Sequence, residues 1–163
     1  MPQQLYSLQD LHSGKISIMP RPRGGDWLVD DIKRLRVAGV DILVSLLTPE
    51  EVSELDLDEE AACCRQQGIE FHSFPIQDMG VPPFSEQTFL LLRQFADALS
   101  AGKHLVFHCR QGIGRSSLMA AGALVLVGLA PEQAFERLSQ ARGRPVPETE
   151  GQREWVVALA RRK

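Results

Sequence analysis

The sequence predicts an α/β fold, with a central, largely parallel (mixed) sheet of four to five strands and helices on both faces. Two observations support this prediction. Apolar runs of strand length alternate with segments of helical periodicity, which is typical of parallel sheets. The run DILVSLL at 41–47 is almost wholly apolar, as expected of a strand that is covered on both faces. The 163 residues suffice for one sizeable core, and we expect residues 1–163 to form a single domain.

Local start and stop signals set the order of the elements. After a proline- and glycine-rich loop at 19–25, Asp26 is placed to cap a helix that Gly39 ends. Thr48 to Glu51 has the capping-box pattern with proline at the first helical position, which predicts a short helix. The remaining predictions are a helix at 58–67, a strand at 70–76, a helix from Ser85 to about Gly102, a strand at 104–108, and helices at 115–128, 131–141 and 149–162.

Composition and charge argue against several classes of protein. The formal net charge of −3 gives no support for a nucleic-acid partner, which usually requires a basic excess. The longest apolar run, at 118–130, is too short to cross a bilayer and predicts a buried helix, so we expect no membrane association. The segment MPQQLYSLQD at 1–10 lacks the pattern of a signal peptide.

The cysteines point to a reducing compartment. An odd, small set of three (Cys63, Cys64 and Cys109) is a poor disulfide framework, so we expect a cytoplasmic protein. The sequence contains no CxxC pair and no HExxH motif, which argues against a zinc site. We therefore expect neither a metal nor a cofactor.

The stretch HCRQGIGRSS at 108–117 directly follows the apolar run at 105–107 and predicts an anion-binding loop between a strand and a helix. Successive backbone N–H groups of residues 110–115 can curl around an oxyanion such as phosphate, at the positive end of the following helix. Gly112 and Gly114 permit the required backbone angles, and Arg115 offers a planar fork for two phosphate oxygens. The stretch is not a nucleotide-binding Walker A loop, because GK[ST] is absent.

The same loop predicts a nucleophile at Cys109. A thiol that faces a helix N-terminus and an arginine ionises more easily, and the thiolate is the attacking species. Ser116 follows directly, and its hydroxyl is placed to donate a hydrogen bond to the thiolate. The plainer alternative is a glycine-containing turn with a buried cysteine.

The pattern HCxxGxGRS resembles the signature of the cysteine-dependent protein tyrosine phosphatases. It is most similar to the small dual-specificity phosphatases, including the atypical and the cyclin-dependent-kinase-associated groups. The resemblance extends from about Ile16 to the C-terminus, whereas the first fifteen residues carry none of it. It implies one dual-specificity-phosphatase-like catalytic domain that hydrolyses phosphomonoesters through a phosphocysteine, without a metal.

This chemistry requires a general acid on a loop at the same sheet edge. The segment PIQDMGVPPFS at 75–85 supplies Asp78 after a predicted strand, and it resembles the acid loop of the family. Asp41 and Asp97 are weaker candidates, since one starts a strand and the other lies on a helix. A solvated loop aspartate is the alternative for Asp78.

Three further residues receive roles from the resemblance. The segment ETEGQREW at 148–155 resembles the part of related phosphatases in which Gln152 would orient the attacking water. Glu148 would hold the loop arginine or assist the water, and His108 would brace the loop beside the nucleophile. Ordinary chemistry of a helix N-terminus is the alternative for Gln152 and Glu148, and a core histidine is the alternative for His108.

The variable loop positions bear on the substrate. Gln111 and Ile113 are neutral, and only Arg110 is charged, whereas phosphatases of polyanionic inositol lipids tend to carry lysines there. We expect phosphotyrosine proteins as substrates, with phosphoserine and phosphothreonine proteins as further candidates. Arg21 and Arg23 are candidates for phosphopeptide contacts, or simply part of a solvated loop. The alternatives to an enzyme are a phosphate-binding module and a thiol redox protein that pairs Cys109 with Cys63 or Cys64.

Overall fold

A computed structural model describes residues 4–8, 11 and 13–162. Parts of the segment at 1–10 and the last residue of the chain lie outside the described residues. The segment at 1–10, which lacks the pattern of a signal peptide, and the expected 1–163 domain are therefore covered only in part.

In the part of the chain that the structure describes, five strands form one mixed sheet in the order β1-β2-β5-β3-β4. The strand β1 pairs antiparallel with β2, and all other pairs are parallel. The predicted fold class is therefore confirmed. The strands are β1 Tyr6–Ser7, β2 Lys15–Met19, β3 Ile42–Ser45, β4 Glu70–Ser73 and β5 His104–His108.

Seven helices surround this sheet in the described part of the chain, besides a 3-10 turn at Gly25–Trp27. They are α1 Leu28–Val37, α2 Pro49–Glu54, α3 Glu60–Gln66, α4 Glu86–Ser100, α5 Arg115–Leu126, α6 Pro131–Arg142 and α7 Glu150–Arg162. None of them is long and apolar enough to cross a membrane.

Two capping signals are confirmed by the structure. Thr48 and Glu51 form the predicted capping box of α2, and the Ser85 hydroxyl accepts a hydrogen bond from the N–H of Thr88 at the start of α4. The prediction that Asp26 caps α1 is wrong. The chain enters α1 through the 3-10 turn, so Asp26 lies inside that turn and Trp27 occupies the cap position without a side-chain hydrogen bond.

Strand boundaries differ from prediction where burial continues beyond the sheet. The run 41–47 forms a strand only over Ile42–Ser45, yet Leu46 and Leu47 remain fully buried. The apolar pattern of 41–47 therefore reflects burial in the core, which extends beyond the residues that pair in the sheet. The strand β2 was not predicted, because its five residues run straight into the proline- and glycine-rich loop.

Each face of the sheet has its own core. The helices α4, α5, α6 and α7 cover one face, where α5 is buried over almost its whole length. The helices α1 and α3 cover the other face and include Cys63 and Cys64. The carboxyl ends of β3, β4 and β5 lie at one edge, which is where ligands bind in open parallel sheets.

Candidate active site

The loop from Cys109 to Gly114 joins β5 to α5 and turns tightly at this edge. Gly112 has φ 71°, and a Cβ atom there would lie 2.6 Å from the backbone carbon of Met19 and the nitrogen of Pro20. Only glycine therefore fits at this position. The N–H of Arg21 also donates to the carbonyl of Arg110 at 3.3 Å, so the segment after β2 forms one wall of the loop.

Arg142, at the end of α6, holds the outer side of the loop. Its guanidinium donates to the carbonyls of Gly112 at 3.0 Å and Gln111 at 3.3 Å. Across a trans peptide, the carbonyl and the next N–H point in opposite directions. Arg142 therefore turns the N–H groups of Gly112 and Ile113 away from itself, which is the orientation that an anion cradle requires.

Arg115 is the first residue of α5, and its side chain is almost fully buried. It donates from Nη1 and Nη2 to the two carboxylate oxygens of Glu51, at 2.7 and 3.0 Å. It also donates to the carbonyl of Ile76 at 2.9 Å, and its Nη2 lies 3.4 Å from Asp78 Oδ1. These contacts fix the plane of the guanidinium beside the loop.

The Glu51 carboxylate takes part both in the capping box of α2 and in the ion pair with Arg115. Its carboxylate accepts from the N–H of Thr48 at 3.0 Å as part of the capping box, and it also pairs with Arg115. Burial alone would raise the pKa of this carboxyl. The hydrogen bonds from Arg115 and Thr48 and the charge of Arg115 outweigh that effect and lower the pKa of Glu51 to about 2.

This pairing predicts how stability depends on pH. Because the folded-state pKa of Glu51 lies below its ordinary value of 4.5, the pair contributes fully above that pH and is lost as the pH falls toward about 2. The difference corresponds to about 3 kcal/mol. We expect Glu51→Gln to lower the free energy of unfolding by about 3 kcal/mol near neutral pH and to flatten its decline in acid.

Urea unfolding of both proteins, from about pH 7 down to about pH 2, measures this effect. The matched control is Glu54→Gln on the same helix, because Glu54 is mostly exposed and pairs with the half-exposed Arg110 at 3.2 Å. A Glu51→Gln protein as stable at neutral pH as the control variant would contradict this account of the pair.

Cys109 is the first residue of the loop and is buried, with its Sγ 3.4 Å from Ser116 Oγ. His108 is fully buried beside it. Its Nδ1 lies 3.2 Å from the Cys109 carbonyl oxygen, and its Nε2 lies 2.6 Å from Oε2 of the buried Glu60. His108 thus connects the backbone of Cys109 to α3, and its bracing role stays a prediction.

Asp78 lies on the loop that follows β4, and its side chain is exposed at the same edge as Cys109. Its contact with Arg115 brings the candidate acid to the anion loop, as expected. Asp41 instead accepts a hydrogen bond from the N–H of His104, at the opposite end of β5, and Asp97 lies on the exposed side of α4.

Gln152 and Glu148 both lie against Gly114. A Cβ atom on Gly114 would be 2.6 Å from Glu148 Oε1 and 3.1 Å from both amide atoms of Gln152. Gln152 Oε1 accepts from the N–H groups of Glu148 and Thr149, and its Nε2 donates to the Gly80 carbonyl at 3.2 Å. The arginine-holding role considered for Glu148 falls to Glu51.

Other candidates are engaged elsewhere. Arg110 pairs with Glu51 at 3.5 Å and Glu54 at 3.2 Å, and Arg23 pairs with the buried Asp31 at 2.6 Å. Cys63 and Cys64 are unpaired and buried on the far face of the sheet. Burial, together with the nearby Glu60, raises the pKa of the Cys64 thiol to about 12.

Sequence reasoning missed several supporting residues: Glu51, Glu60, Arg142 and Ser117, whose hydroxyl donates to the carbonyls of Ile113 and Gly114. For Glu51 a signal existed. Its capping box begins just beyond a buried parallel strand, and that places the carboxylate at the edge where Arg115 was expected. No comparable signal marks Arg142 or Glu60.

A parallel sheet whose central strand ends in a cysteine- and arginine-bearing anion loop, with an aspartate on a neighbouring loop, defines the cysteine-dependent phosphatase class. The comparisons with known proteins identify the family. A family model described as "Polymorphic toxin system, DSP-PTPase phosphatase" matches residues 18–129. The chain therefore belongs to this family of dual-specificity phosphatases.

Individual relatives agree with this assignment. The chain is 29% identical over 115 residues to cyclin-dependent kinase inhibitor 3 of Rattus norvegicus, covering 69% of this chain and 54% of the relative. It is 30% identical over 147 residues to putative tyrosine phosphatase 067L of Invertebrate iridescent virus 3, covering 82% of this chain and 55% of the relative. The chain thus spans about half the length of the curated relatives it matches.

A solved structure shows the same fold. A kinase associated phosphatase, in which the catalytic-site cysteine is replaced by serine, matches with a TM-score of 0.87 and 21% identity, covering 99% of this chain and 96% of that one.

Proposed function

We propose that this chain is an active phosphatase that removes phosphoryl groups from phosphorylated proteins through a phosphocysteine intermediate, without a metal or cofactor. One observation carries the proposal. The Arg115 guanidinium, which follows Cys109 in the anion loop, lies 3.4 Å from Asp78, so nucleophile, phosphate fork and acid meet at one sheet edge. Each group is of the type that the reaction requires, and this shared position supports the proposal.

In the first step the Cys109 thiolate attacks phosphorus in line with the ester oxygen. The S–P bond forms and the P–O bond breaks, while Asp78 gives its proton to the leaving oxygen. The backbone N–H groups of residues 110–115 and the guanidinium of Arg115 stabilise the equatorial oxygens, which supplies most of the rate. The anion-binding positions are Arg110, Gln111, Gly112, Ile113, Gly114 and Arg115.

In the second step water attacks the phosphocysteine. Asp78, now a carboxylate, takes a proton from the water, and the S–P electron pair returns to sulfur. The Ser116 hydroxyl, 3.4 Å from Sγ, donates to the leaving thiolate. Gln152 Nε2 bonds the Gly80 carbonyl with one hydrogen, and its second N–H is left to orient the water, beside Glu148.

The substrates that we propose are phosphotyrosine proteins, together with phosphoserine and phosphothreonine proteins. Arg110, the only cation among the variable loop positions, is paired with Glu51 and Glu54, which disfavours polyanionic lipids. We place the activity in the cytoplasm, a proposal supported by three unpaired cysteines.

The phosphate-binding module and the thiol redox protein are not favoured. A binding module has no use for an acid held against the loop arginine, as Asp78 is. A redox protein needs a resolving thiol beside Cys109, whereas Cys63 and Cys64 belong to the core on the other face of the sheet.

Aryl phosphate hydrolysis with a chelator and a thiol reductant present tests the proposal. We expect Asp78→Asn to lower kcat/KM for phenyl phosphate by about 10²- to 10³-fold and for para-nitrophenyl phosphate much less, since the better leaving group needs less proton donation. The control is Asp97→Asn, an exposed position on α4 that should keep full activity. Loss of wild-type activity in chelator, or equal losses on both substrates, would contradict the proposal.

A further inference from the structure

Every second residue of the acid loop, which we define as 78–84, contacts a side chain outside the loop. Asp78 contacts Arg115, the Gly80 carbonyl accepts from Gln152, and the Pro82 carbonyl accepts from Trp155 Nε1 at 3.0 Å. The Phe84 ring packs edge-on against the Trp155 ring, with centroids 5.5 Å apart and an interplanar angle of 81°. The intervening Met79 and Val81 face solvent.

Three of these four contacts come from the same helix, α7. Gln152 and Trp155 lie three residues apart on α7, so they share one face of it, and both side chains are buried. They reach across more than seventy residues of sequence to the acid loop. The indole of Trp155 has only one hydrogen-bond donor, and that donor is used on the loop backbone.

The backbone of the acid loop has an uncommon conformation that surrounding contacts must stabilise. The Gly80 N–H donates to the Gln77 carbonyl at 2.8 Å, which closes a tight turn around Asp78 and Met79. Met79 has φ 65°, a conformation that is uncommon for residues other than glycine, asparagine and aspartate. Such strain persists where surrounding contacts over-determine the backbone, and it often marks functional sites.

We propose that Trp155 is a positioning residue for the general acid: by bonding the Pro82 carbonyl it keeps the acid loop closed and Asp78 at the anion loop before substrate arrives. This inference rests on the proposed function, because it assigns Asp78 the role of acid. It adds that the loop is tied to α7 rather than left to close on substrate.

The kinetic test compares wild type with Trp155→Phe, which keeps the aromatic packing and removes the donor. We expect kcat/KM, which reports the first chemical step, to fall about fivefold for phenyl phosphate and little for para-nitrophenyl phosphate. In an Asp78→Asn background the same substitution should have no further effect. Equal losses on both substrates, or a loss that persists without Asp78, would overturn the proposal and leave Trp155 a packing role.

A second measurement does not depend on activity. Native-state hydrogen exchange should be faster in Trp155→Phe at the hydrogen-bonded amide of Gly80 in the acid loop and unchanged in β5 and α5. The control is Glu154→Gln, the exposed neighbour on α7, which should match wild type in both assays. Unchanged exchange in the acid loop would refute the tether. A wild-type protein without Cys109-dependent turnover would instead refute the proposed function and leave the exchange result standing.

Discussion

Cys109→Ser should abolish turnover, lowering kcat by about 10⁵-fold or more, while phosphate still binds the loop. A serine hydroxyl does not ionise near neutral pH, and in the described part of the chain the side chain at 109 has the Ser116 hydroxyl, which is not a base, as its hydrogen-bond partner. Loss of the nucleophile from a catalytic set is the largest single loss seen in enzymes that use covalent intermediates. The anion loop itself depends on backbone N–H groups and Arg115, which the substitution leaves in place.

Two measurements distinguish the loss of turnover from a loss of phosphate binding. Para-nitrophenyl phosphate hydrolysis measures turnover, and the rise in melting temperature with inorganic phosphate measures binding. Cys63→Ser, on the far face of the sheet, is the matched control and should retain full activity. Residual turnover in the Cys109 variant close to that of wild type would mean that another group makes the attack.

Arg115→Lys should lower kcat/KM by about 10³-fold. The guanidinium presents a flat fork to two equatorial oxygens, and a lysine ammonium replaces it with one point charge on a differently shaped chain. Glu51 fixes the present geometry through two hydrogen bonds of 2.7 and 3.0 Å, and a lysine cannot reproduce both. The loss should fall on kcat more than on KM, because charge on these oxygens is rearranged during transfer.

The control for this variant lies one residue after the nucleophile. Arg110→Lys changes an arginine of the same loop that is engaged by Glu51 and Glu54, and its effect should stay within a few-fold. Melting temperatures of both variants show how much of any loss reflects weakened folding. Near-normal activity in Arg115→Lys, or equal losses in the two variants, would contradict the role assigned to the fork.

The sequence predicted the elements whose signals are local. An apolar run followed by a loop with two glycines and an arginine predicted β5, the loop after it and the start of α5. Thr48 and Glu51 predicted the capping box of α2. The position of Asp78 at the same sheet edge as Cys109 followed from topology, since carboxyl ends of parallel strands share an edge, and from the resemblance of its loop to the acid loop of the family.

What the sequence did not show depends on distant partners. The strand β2 lies within the sheet because it pairs with β5, almost ninety residues later, and nothing in its five residues records that pairing. Two side-chain contacts likewise depend on tertiary structure: the ion pair of Glu51 with Arg115 and the hydrogen bond from Trp155 to the Pro82 carbonyl. Each requires the side chains to be placed to within about an ångström. A pattern of polar and apolar residues predicts which face of a helix or strand is buried, but it does not predict which two side chains meet across the fold.

Trapping the phosphocysteine tests the central claim most directly. Asp78→Asn, mixed with para-nitrophenyl phosphate and quenched in neutral denaturant, should accumulate the intermediate, because a good leaving group departs unaided while water lacks its base. The account predicts one phosphoryl group on the tryptic peptide 104–110, which contains Cys109, and none after Cys109→Ser. A phosphoryl group on Ser116 or Ser117, or none while product is released, would contradict it.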